Sequence, residues 1–136
     1  MSTKLNSLAH EERLRGRSRV SQLFNEGHSG FVYPLRYVWI DDEGNAEGES
    51  KLASVLFNVP KRFHRRANKR HLLRRRVKEA YRLEKSALVV EGRPRLNVAL
   101  IYSTKEELPY SNILRSVKKI LNQINDERSA LTSSHE

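Results

Sequence analysis

The chain has 136 residues, 38% of them hydrophobic, enough for one domain that buries about two-thirds of its unfolded surface. It has no cysteine, which excludes disulfides and thiolate metal sites. A formal charge of +10 at pH 7 points to a polyanionic partner, a nucleic acid or an anionic membrane surface.

Residues 1–12 are polar, mixed in charge and aperiodic, and are expected as a loose tail without a signal-peptide core. No apolar run approaches a transmembrane span, so the expected compartment is the cytoplasm. Arg13, Arg15, Arg17 and Arg19 then alternate, as a second phosphate contact or as a solvated strand. Ser18 is placed to cap a short helix in which Val20, Leu23 and Phe24 share one face, and Gly27 to stop it. Residues 31–40, FVYPLRYVWI, have the aromatic and β-branched content of a strand. Pro34 makes their first part an edge or a separate short strand. Residues 41–50 carry five acidic residues with Gly44 and Gly48, a solvated hairpin loop without metal-ligand spacing. Residues 51–60 read as a second strand, ended by Pro60.

The chain's charge is concentrated in residues 61–85, KRFHRRANKRHLLRRRVKEAYRLEK. Twelve of these 25 residues are Lys or Arg, against Glu79 and Glu84, a surplus equal to that of the whole chain. From Ala67 the spacing is helical: Leu73, Val77, Ala80 and Tyr81 fall on one side, with Leu72 and Leu83 widening that apolar arc. His71, Arg74, Arg75, Lys78 and Arg82 form a basic face on the other. Arginine outnumbers lysine there, which suits bidentate phosphate contacts. The bland reading is a solvated face, but like charges one turn apart repel and want a compensating anion.

Residues 90–95 are a turn and residues 95–102, RLNVALIY, a third strand. A strand, helix, strand unit of this length is a crossover that makes the third strand parallel to an earlier one. Pro109 opens a last helix with Ile113, Leu114, Val117, Ile120, Leu121 and Ile124 on its core face. Residues 126–136 are expected as a polar tail. The expectation is one α+β domain over residues 13–125, with helices on one face of a small sheet.

Catalytic chemistry is not evident in the chain. The carboxylates are not clustered, no glycine loop cradles phosphate, and His64 and His71 make a poor metal pair. The segment VPKRFHRRANKRHLLRRRVKEAYR resembles the signature of the protein subunit of bacterial ribonuclease P. Ala67 fits its alanine, Arg70 its leading arginine, Arg74 and Arg75 its next basic pair, Lys78 the basic residue one turn on, and Ala80 and Tyr81 its small-aromatic pair. His71 stands where the family usually has Asn, and Leu72 where it usually has Arg. RVSQLFNEG is similar to the family's first helix, with Phe24 at its second aromatic and Val20 in place of its first.

The resemblance implies an α/β sandwich in the order helix, strands, helix, strand, helix, with a left-handed crossover. It implies a protein that assists an RNA subunit in removing the 5′ leader of precursor transfer RNA, the chemistry and its Mg2+ belonging to the RNA–protein holoenzyme. No cofactor is expected on the protein alone. Ribonuclease P RNA and precursor tRNA are the implied partners, with neither a membrane nor a protein partner. Arg66, Arg70, His71, Arg74, Arg75, Lys78 and Arg82 are the candidates for contacting the catalytic RNA. Phe24, Trp39, Arg17 and Lys61 are the candidates for a leader cleft between the first helix and the sheet, Trp39 being equally apt as core. The alternatives are a ribosomal or other structural RNA-binding protein and, more distantly, a protein-only nuclease.

Overall fold

A computed structural model describes residues 12–42, 53–89 and 94–134. The tail before Glu12, the acidic loop after Asp42 and most of the turn before Arg95 lie outside them. The elements are α1 (Arg17–Glu26), β1 (His28–Val32), β2 (Leu35–Asp42), β3 (Ser54–Asn58), α2 (Ala67–Glu84), β4 (Arg95–Tyr102) and α3 (Tyr110–Ser134). The order of helix, strands, helix, strand, helix is the expected one.

The four strands form one sheet in the order β1-β2-β4-β3. β1 and β2 are antiparallel, as are β2 and β4, while β3 runs parallel to β4. The β3–α2–β4 unit is therefore a crossover, as its length required. Pro34 divides the expected first strand as its missing donor demands. β1 begins earlier, at His28, and a cis Tyr33–Pro34 bond lies in the turn to β2. Gly30 is opposite Tyr37, whose ring would lie 2.4 Å from any Cβ placed there, so the close approach requires glycine.

Strand alternation sends Leu35, Tyr37 and Trp39 to one face with Leu96, Val98 and Leu100. There they meet Leu73, Val77, Ala80 and Tyr81 of α2 and Ile113, Val117, Ile120 and Ile124 of α3, whereas Leu72 and Leu83, expected to widen the apolar arc of α2, are exposed at its margins. The opposite face carries Val38, Ala99 and Ile101, which pack with Leu14 and with Leu23 of α1. Helices thus cover both faces, not one as expected. The reason lies in β2 and β4, which are apolar on both sides and so need cover on both. α1 also starts one residue earlier than the expected cap: Gly16 precedes it at φ 95, a conformation that favours glycine, and Ser18 lies within the helix.

The last helix corrects the expected polar tail. α3 continues through residues 126–134, where Glu127 and Arg128 have partners in the rest of the fold. Glu127 accepts hydrogen bonds from the Tyr37 hydroxyl and from Trp39 Nε1, each at 2.7 Å. Arg128 is 2% exposed. It donates to Asp41 Oδ1 at 3.0 Å and to the carbonyls of Val89 and Pro94, tying α3 to the end of β2 and to the chain entering β4.

Candidate nucleic-acid interface

The cations of α2 divide into two sets. Lys69 Nζ lies 2.6 Å from Glu107 Oε2, and Arg76 lies 3.7 Å from the same carboxylate and donates to the Leu108 carbonyl. Arg82 pairs with Glu79 one turn back. The hydrogen bond from Lys69 holds the Glu107 carboxyl below its ordinary range, and that from Arg82 does the same to Glu79. Lys69 and Arg76 fasten α2 to the loop before α3, and Arg82 is neutralised on its own helix.

Arg74, Arg75 and Lys78 form no ion pair among the described residues. They face β3, an edge strand. Along that edge the Leu14 N–H donates to the Val55 carbonyl at 3.1 Å, and Arg13 forms a parallel bridge with Val55. A groove lies between this N-terminal segment and α2, with Leu56 and Phe57 on its floor. One lobe, of about 400 Å³, has Arg13 and Arg15 on one wall and Arg74, Arg75 and Lys78 on the other. A second, of about 360 Å³, continues past Arg74 to Arg70 and His71. Among the described residues, no carboxylate lines either lobe. Arg70 also donates to the carbonyls of His64 and Arg65, which braces the entry to α2.

Of the residues expected to contact the catalytic RNA, Arg70, His71, Arg74, Arg75 and Lys78 come together at this groove. Arg66 is exposed at the helix start and Arg82 is paired with Glu79; neither lines it. His64 and His71 have different surroundings. His64 is buried and its Nε2 lies 2.8 Å from the Thr104 carbonyl, to which it donates, whereas His71 is exposed. No cluster of three or more potential metal ligands occurs among the described residues.

The expected leader-cleft residues do not form one site. Trp39 is 1% exposed, in the core beneath α2 and α3, so it offers no surface to a strand lying beside α1. Phe24 is 45% exposed on α1. Arg17 is exposed at the other end of that helix, and Lys61 is exposed in the turn after β3. Two residues outside the expected set share the α1 side of the sheet: the exposed Phe31 and its cross-strand partner Arg36. Their signal was alternation, because Arg36 is in phase with Val38 and Ile40 rather than with Tyr37 and Trp39. Arg13 and Arg15 show the same difficulty: their charge was legible, their place against β3 was not.

The family model described as Ribonuclease P matches residues 8–125. The chain belongs to this family. The ribonuclease P protein component of Porphyromonas gingivalis is 35% identical over 120 residues, 86% of this chain and 85% of its own. That of Chlorobium phaeobacteroides is 30% identical over 130 residues, 88% and 89% of the two chains. The Thermotoga maritima ribonuclease P protein superposes with a TM-score of 0.65 at 20% identity, covering 82% of this chain and 96% of that one. The Staphylococcus aureus protein does so with 0.64 at 15% identity, covering 83% and 94%. These two structures show the shared fold. The family is that of the accessory protein subunit of an endoribonuclease, and it implies an RNA partner. No helix among the described residues is long and apolar enough to cross a membrane.

Proposed function

We infer that this chain binds the catalytic RNA through α2 and the groove beside it, holds the 5′ leader of precursor transfer RNA near α1, and so assists removal of the leader. The observation that carries this reading is the groove: cations on both walls, apolar side chains on its floor and, among the described residues, no carboxylate lining it. Such a surface attracts phosphates by releasing their counterions. Arginine supplies most of its charge, in the geometry that grips phosphate oxygens in pairs. As the accessory subunit, the protein leaves the hydrolysis to the RNA and its Mg2+.

For the leader, exposed Phe24 on α1 and Phe31 with Arg36 on the sheet supply ring faces beside positive charge. Unpaired bases stack on aromatic faces, so single-stranded RNA suits such a surface. Reconstitution tests the reading. The protein mixed with a bacterial ribonuclease P RNA should restore precursor cleavage at low magnesium, and the protein alone should cut nothing. No rescue would make the chain a structural RNA binder, and cleavage without added RNA would make it a nuclease.

A further inference from the structure

One wall of the groove depends on a charge that points away from it. Glu12 is 2% exposed, although it opens the described part of the chain. Its carboxylate accepts hydrogen bonds from Lys85 Nζ, at 3.0 Å to Oε1 and 3.2 Å to Oε2, just beyond the last residue of α2. Its charge also reaches the buried Tyr81 hydroxyl. The next residues lie against β3: Arg13 bridges to Val55, and Leu14, 5% exposed, packs with Leu23 and Val38. Arg13 and Arg15 are left exposed, lining the groove opposite Arg74, Arg75 and Lys78. Five cations around one lobe repel one another, so the wall they form needs an anchor. A largely buried ion pair is such an anchor, because losing one partner leaves the other charge poorly compensated in a partly desolvated place. The pairing also neutralises the acidic residue adjoining Arg13, which would otherwise repel phosphate.

We propose that the Glu12–Lys85 ion pair is a latch that holds residues 12–15 along the β3 edge, so that Arg13 and Arg15 grip RNA phosphates from the side opposite α2. Glu12 and Lys85 are positioning residues; the arginines touch the RNA. The proposal rests on the reading of the groove as an RNA site, and the two are separable by experiment. Binding of the full-length protein to a bacterial ribonuclease P RNA transcript is measured across a range of salt concentrations.

Arg13→Ala with Arg15→Ala should lower the salt slope by about two units, one for each phosphate no longer neutralised. Glu12→Gln should lower it by a similar amount, and adding it to the double arginine variant should change the slope no further. Exchanging the charges, Glu12→Lys with Lys85→Glu, should restore most of the wild-type slope. A Glu12→Gln effect that adds in full to the arginine variant, or a wild-type slope in the double arginine variant, overturns the latch. The second result is decisive even if Glu12→Gln does not fold, because Arg13 and Arg15 are exposed. Arg74→Ala with Arg75→Ala and Lys78→Ala serves as the control for the underlying reading. If that variant loses affinity while the double arginine variant does not, only the latch fails; if it also binds as wild type, the RNA groove fails with it.

Discussion

At the scale of single residues, two aromatic side chains show what sequence can and cannot place. Phe24 and Trp39 were both candidates for contacting single-stranded RNA, Trp39 being equally apt as core, and only Phe24 is exposed. Trp39 lies on the face that α2 and α3 cover, and its ring nitrogen is satisfied by Glu127, a residue in the stretch expected as a tail. Alternation along β2 divides its residues between the two faces of the sheet. Both sets are apolar, so nothing local said which one a helix pair would cover. Stacking one base on an exposed ring is worth roughly 1–3 kcal/mol. Phe24→Ala should therefore weaken holoenzyme affinity for a precursor with a leader by about 5- to 150-fold, and leave affinity for mature transfer RNA nearly unchanged. Equal losses for the two RNAs would remove Phe24 from the leader site. The arginines of α2 allow a similar contrast. Arg74→Ala or Arg75→Ala should weaken binding to the catalytic RNA without lowering the melting temperature, because each faces the groove unpaired. Arg82→Ala should cost less affinity, because Glu79 already neutralises that charge. A larger loss for Arg82 than for Arg74 would show that RNA meets a different side of the helix.

At the scale of elements, the strands, their order and the basic helix were legible because each carries its own period or punctuation. Pro34 split a strand, Pro60 ended one, and the helical spacing after Ala67 put Leu73, Val77, Ala80 and Tyr81 in the core. The end of α3 was not legible. Asp126, Glu127 and Arg128 look solvated in sequence, and only the folded sheet brings Tyr37, Trp39 and Asp41 to them. A hydrogen bond to a charged group contributes about 1.5–3 kcal/mol, and a buried donor left unsatisfied costs a similar amount. Glu127→Ala should thus destabilise the protein by on the order of 3 kcal/mol, read as a melting temperature lower by about 10 °C. Ending the chain after Asn125 should do more damage, because Arg128 and its three attachments go as well. An unchanged melting temperature for either protein would return these residues to the status of a tail.

At the scale of the whole molecule, burial of phenols sets a limit on the alkaline side. Burial, the largest cause in each case, raises the hydroxyls of Tyr37, Tyr81, Tyr102 and Tyr110 above the ordinary tyrosine value, four of the chain's five tyrosines. The folded chain then holds protons that the unfolded chain loses at a pH of about 10. Stability from this source is complete below that pH and falls as the pH rises through it toward the higher folded values. Phenolate absorbance should therefore appear together with loss of the circular dichroism of the fold. Ionisation of these four at the ordinary pH, with the dichroism intact, would contradict their burial.

Charge sets the other property of the whole molecule. Acidic partners occupy Lys69, Arg76 and Arg82, while Arg13, Arg15, Arg74, Arg75 and Lys78 face one another across a groove that no carboxylate lines among the described residues. The most direct test is a titration of the protein into a bacterial ribonuclease P RNA at low magnesium, with precursor cleavage as the signal. The variant carrying Arg74→Ala, Arg75→Ala and Lys78→Ala should need on the order of 100-fold more protein for half-maximal cleavage, and should reach the wild-type maximum once bound. Superimposable titrations of wild type and variant would contradict the assignment of the groove to the catalytic RNA.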